Sequence, residues 1–132
     1  MKYLLLSIFL VASVNDTIFA NNGNEKNVEI NEVNIAKKWI FKDIINTKLS
    51  KEELEENKSL MEGFSLQFNK DKTCVTSFIL DLDGTWKLDT SKKLVITTDR
   101  KGKNTWHIHS LTETKIIVSR NDAEQKIILV VE

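Results

Sequence analysis

The chain contains no proline among its 132 residues, only four glycines and a single cysteine, and it has no excess of charge, with 19 Lys+Arg against 19 Asp+Glu. Each absence excludes something. A lone Cys74 rules out an internal disulfide, and with it a disulfide-stapled scaffold. Balanced charge leaves no field to steer the protein toward nucleic acid, whose binding rests on phosphate neutralisation by clustered cations, so no nucleic-acid partner is expected. Four glycines supply no phosphate-cradling loop. No apolar run reaches the ~20 residues of a comfortable membrane span. What remains, 41% hydrophobic and 29% charged residues, is ordinary for one globular domain.

Residues 1–20 read as a signal peptide. Lys2 is a minimal positive n-region, Tyr3 to Val14 is mostly apolar, and Thr17-Ile18-Phe19-Ala20 ends on a small residue suited to cleavage. The cysteine that bacterial lipid-anchored proteins carry just after the apolar run is missing, so the expected destination is periplasmic or secreted, in soluble form. Residues 21–34, rich in Asn and Glu, are expected as a flexible N-terminal arm. Residues 35–132 form the expected domain, with Ile35 and Ala36 closing one end.

Alternating apolar residues organise that domain. Trp39 and Phe41 share a face in the first strand, Phe64, Leu66 and Phe68 in the second, and Trp86 and Leu88 in the fourth, because successive strand side chains point to opposite sides. Between the third strand, Cys74 to Leu80, and the fourth, Asp83-Gly84 predicts a tight hairpin turn of the kind that needs positive φ at both central residues. Leu94 and Ile96, Trp106 and Ile108, then Lys115 to Arg120 and Gln125 to Val131 complete eight strands. Ser50 followed by Glu53 is a capping box, and Gly63 is a stop, so Lys51 to Glu62 is one short helix between the first two strands, with Leu54, Leu60 and Met61 toward the barrel opening. Eight strands with short turns suit a sandwich or a closed up-and-down barrel. The barrel is favoured, because it removes edge strands that this proline-free chain has few means of blocking. The expected fold is therefore all-β, an eight-stranded antiparallel up-and-down barrel.

The pattern Lys38-Trp39, Phe64-x-Leu-x-Phe68, Gly84-Thr85-Trp86-x-Leu88, Leu94-x-Ile96 and Trp106-x-Ile108-x-x-Leu111-Thr112 resembles the small lipocalin-like domains of exported bacterial proteins. The likeness spans roughly Ile35 to Glu132, with Lys37 where the lipocalin Gly-x-Trp carries glycine. The resemblance implies an eight-stranded barrel with a pocket at one mouth and no known chemistry.

Little in the residues themselves suggests catalysis. His107 and His109 share a strand face about 6–7 Å apart, but no third ligand is near in sequence, so they are read as solvent-facing. Cys74 reads as a small buried hydrophobe. Asp81-Leu82-Asp83-Gly84 lacks a carboxylate at the first position of a calcium loop, and Asn57-Lys58-Ser59 is a glycosylation acceptor only in a eukaryotic secretory pathway. No metal, cofactor or enzymatic activity is expected.

An eight-stranded barrel is wide enough to be filled by its own side chains or to hold one small ligand. The expected function is binding of a small hydrophobic or amphipathic molecule at the mouth by Trp39, Phe41, Phe64, Phe68, Phe78, Trp86, Leu88 and Trp106, with Thr76, Gln67 or Lys87 supplying polar contacts. The alternative is a packed barrel that engages a protein partner through its loops, its helix or its lysine-rich outer face.

Overall fold

The computed structural model describes residues 25–132. The expected signal peptide lies outside them, as do the first residues of the expected arm. Among the described residues, eight strands close into an antiparallel barrel in chain order, as the alternation implied. They are β1 (Lys38–Ile45), β2 (Ser65–Phe68), β3 (Thr73–Phe78), β4 (Leu80–Asp89), β5 (Leu94–Asp99), β6 (Gly102–Leu111), β7 (Lys115–Arg120) and β8 (Lys126–Val131). Closure is made by β1 pairing β8, with Trp39 opposite Val131 and Ile44 opposite Ile127. No helix in the described region is long and apolar enough to cross a membrane.

Among the described residues, two helices accompany the barrel. The first, α1 (Glu32–Ile35), precedes β1 and carries no strong signal in the sequence. The second, α2 (Lys51–Met61), stands where the Ser50–Glu53 capping box placed it, and both reciprocal bonds of the box are formed. Its docking differs from expectation: Met61 packs on the core, whereas Leu60 is 70% exposed. Polar contacts hold it over one end, since Asn46 and Asn57 both donate to Gln125 Oε1 at 3.1 Å and Lys58 pairs with Asp43 at 3.4 Å.

The barrel has one closed end and one open end, and the difference originates in α1. Ile35 is wholly buried among the core residues, and its carbonyl accepts from Trp39 Nε1 at 2.9 Å and from the Lys37 amide at 2.7 Å. Residues 25–34 are tied down on the same side. The Val28 amide donates to the Leu111 carbonyl at 2.9 Å, and the Glu25 carboxylate accepts from the Thr112 and Thr114 hydroxyls, which holds its pKa below the ordinary range. Lys72 also pairs with Glu32 of α1. Above this plug, Trp39, Leu66, Phe68, Trp86, Val95 and Leu129 fill the barrel axis.

Three expectations need correction. Asp83-Gly84 is not a turn: it lies within β4, and the chain reverses at Ile79, whose φ is +71°. Gly84 serves close approach instead, because a Cβ there would sit 2.3 Å from the Thr98 carbonyl oxygen on β5. In β5 the buried inward residues are Val95 and Thr97, opposite Leu88 and Trp86, with Asp99 following on the same side, so Ile96 faces outward. Leu94-Val95-Ile96 is apolar throughout, and alternation alone could not choose between its faces. Finally, the barrel's inward parity is not constant along a strand. Register shifts between Phe41 and Asp43 and between Ile108 and Ser110 insert an extra residue, so that Ile44 and Leu111 turn inward although they break the alternation set by Trp39 and Trp106.

Candidate functional site

Antiparallel order gathers the end of β1, α2, the β3–β4 hairpin, the β5–β6 turn and the β7–β8 turn at the end of the barrel opposite α1. Here the packed axis gives way to space. One open cavity of about 200 Å³ lies between α2 and the barrel wall, lined by Met61, Phe64, Phe78, Trp106, Gln125 and Ile127 among others. A second of about 260 Å³ adjoins it, sharing Phe64, Phe78, Trp106 and Arg120 and extending to Thr76, Leu82 and the β5–β6 turn. Two small open cavities with a common aromatic wall form one mouth.

The wall is well fixed. Phe64 packs edge-on against Phe78 at 6.0 Å between ring centroids and lies 5.9 Å from Trp106. Trp106 is buried, and its Nε1 donates to the Thr97 hydroxyl at 3.0 Å, which satisfies the indole where water is excluded. Arg120 stands opposite Trp106 in the β6–β7 ladder, its guanidinium 6.0 Å from the ring centroid and its Nε donating to Asn104 Oδ1 at 2.9 Å. Phe78 is 39% exposed and closes the wall at the hairpin tip.

The eight residues expected as ligand contacts therefore divide. Phe64, Phe78 and Trp106 line the mouth together. Trp39, Phe41, Phe68, Trp86 and Leu88 do not line it: Phe68 packs against Trp86 with tilted rings 5.2 Å apart, the Trp86 indole donates to the Asn69 carbonyl at 2.8 Å, and Leu88 and Phe41 pack on the central core. Thr76 borders the cavity, but Gln67 bonds Asn69 and Lys87 is exposed on the outer face. Sequence reasoning placed Met61 toward the opening without naming it as a contact, and it missed Gln125 and the cations at the rim. For Arg120 there was one usable signal, its place two residues beyond the inward Val118.

The remaining candidates are accounted for structurally. Cys74 is buried, and its thiol is pushed up to about 11 by that burial and then by the Asp99 and Asp83 carboxylates, so it is protonated at neutral pH. His109 bonds the Ser119 hydroxyl at 2.8 Å, and partial burial, then the positive charges of Lys126 and His107, hold its pKa below the ordinary value. Among the described residues, no three His, Cys, Asp or Glu side chains gather as metal ligands.

The fold has a solved neighbour. The chain superposes on the crystal structure of a DUF4847 family protein from Bacteroides vulgatus ATCC 8482 with a TM-score of 0.52, at 11% identity, covering 72% of this chain and 92% of that one. At that identity the likeness is one of fold alone. No family model and no curated protein matches the sequence.

Proposed function

We propose that this chain is an exported, non-enzymatic, lipocalin-like barrel that binds a small apolar or amphipathic molecule at its open mouth. The observation that carries this reading is an aromatic wall of Phe64, Phe78 and Trp106 beside open space, in a barrel whose other end is plugged by Ile35. Burial of the ligand's apolar surface drives binding at roughly 25 cal/mol per Å², offset by the loss of its freedom. The residues 1–20 pattern supports export, and the protonated Cys74 supports a role other than nucleophilic catalysis.

N-Phenyl-1-naphthylamine, an uncharged fluorophore that brightens in apolar surroundings, tests the reading directly. Saturable binding of one equivalent is expected, with energy transfer from Trp106. The Phe78→Ala variant weakens it roughly tenfold, the equivalent of about 1.4 kcal/mol of lost contact. Absence of saturable binding to the folded protein, both of this probe and of a charged amphipathic analogue, overturns the reading.

A second reading, contact with a protein partner, draws on the β3–β4 hairpin tip. Ile79 is 98% exposed and has φ +71°, a conformation that a β-branched residue adopts at a cost. Ile79→Asn relieves that cost, because asparagine tolerates the left-handed region, and thermal denaturation should show a gain of about 1 kcal/mol. Loss of a stoichiometric partner in the same variant supports a contact role for the tip; an unchanged partner set argues against it.

A further inference from the structure

The polar half of the mouth is one-sided in charge. Register turns Asp99, Asn104 and Arg120 inward near the top of the barrel, opposite Gly102, Thr97 and Trp106 respectively. Lys101 borders the same cavity from the β5–β6 turn and Lys103 from the first residues of β6, opposite Thr98, so three cations and a single carboxylate line it. That carboxylate, Asp99, already accepts from the Lys101 amide at 2.8 Å. Among the described residues, none of the three cations has a carboxylate within 4.0 Å; they share this with most of the chain's lysines, since only Lys38, Lys48, Lys58 and Lys72 are so paired. The cations therefore gather beside the aromatic wall without neutralising partners of their own. Trp106 and Asn104 hold the Arg120 guanidinium at the boundary between the apolar and polar halves of the mouth.

We propose that the molecule taken up at this mouth is a small anionic amphiphile, its apolar body against Phe64, Phe78 and Trp106 and its acid group at Arg120, Lys101 and Lys103. The inference rests on the ligand-binding reading above and adds the chemical class. Arginine suits the role because its planar fork matches the two oxygens of a carboxylate, sulfonate or phosphate, and because it keeps its charge when partly desolvated. The lysines add longer-range attraction that salt screens. A neutral ligand of the same shape would fill the wall and leave the cationic rim unused.

Two fluorophores that differ by one acid group separate this inference from its foundation. 8-Anilinonaphthalene-1-sulfonate carries a sulfonate on the ring system of N-phenyl-1-naphthylamine. The folded wild-type protein should bind the sulfonate about tenfold more tightly than the neutral probe, as a charge-assisted hydrogen bond supplies. That ratio should fall toward one in high salt and in the Lys101→Gln/Lys103→Gln/Arg120→Gln variant. Saturable binding of the neutral probe with equal or weaker binding of the sulfonate overturns the anionic preference and leaves the ligand-binding reading standing. A preference that survives both high salt and the triple variant also overturns the assignment, because the acid group would then lie elsewhere. If neither probe binds, both readings fall together.

Discussion

Trp39→Ala is expected to cost the protein about 3–5 kcal/mol, as truncation of a fully buried aromatic residue does. Trp39 has no exposed surface, sits on β1 between Leu66 of β2 and Val131 of β8, and joins the barrel to its plug through the bond from Nε1 to the Ile35 carbonyl. The substitution opens a cavity where three strands and α1 meet, so the loss falls on packing and on closure of the end together. Folded domains of about 100 residues hold only about 5–15 kcal/mol in total, and each kcal/mol is worth about 4–8 °C of melting temperature. A drop of roughly 15 °C or more, or failure to fold, is expected. Trp39→Phe separates the contributions. It keeps most of the ring and removes the donor, while the Ile35 carbonyl retains the Lys37 amide at 2.7 Å, so about 1–2 kcal/mol should be lost. Chemical denaturation of both variants measures this, and an alanine variant within about 1.5 kcal/mol of wild type would remove Trp39 from its role as keystone of the plugged end.

Gly84→Ala is expected to destabilise by about 2–3 kcal/mol, the upper part of the range for overpacking. The obstacle is backbone: the new methyl carbon would lie 2.3 Å from the Thr98 oxygen and 3.1 Å from Asp99 Cβ. Neither can rotate away, so β4 and β5 must separate where Gly84 pairs with Cys74 on one side and Asp99 on the other. Gly84→Asn discriminates this cause from a turn requirement. Asparagine suits a left-handed turn and would be nearly neutral there, whereas against a neighbouring carbonyl it must be worse than alanine. Thermal melts of the two variants, with asparagine the less stable, are the expected result. The reverse order would restore Asp83-Gly84 as a hairpin turn.

The Gly84 outcome also marks how far local sequence reaches. Asp-Gly is a strong hairpin signal because both residues tolerate positive φ, yet the reversal falls on Ile79, for which no turn chemistry speaks. Pairing on both flanks decided the matter, since a ten-residue β4 satisfies its ladder with β3 and β5 at once. The same competition placed Val95 and Thr97 inside. Trp86 and Leu88 had fixed the inward face of β4, and Thr97 on that side gives the buried Trp106 indole its hydroxyl acceptor.

The amino-acid order by itself determined the all-β class, the eight strands, the capped helix α2 and the inward aromatic faces of β2, β4 and β6, because these follow from the two-residue strand period and from capping bonds spanning three residues. Only the tertiary structure decided which end is plugged, which three of the eight proposed contact residues share the mouth, and that Arg120, Lys101 and Lys103 meet beside them. Those facts depend on closing β1 against β8 and on bulges that reverse a strand's parity, and both bring together residues too distant along the chain for any local preference to register.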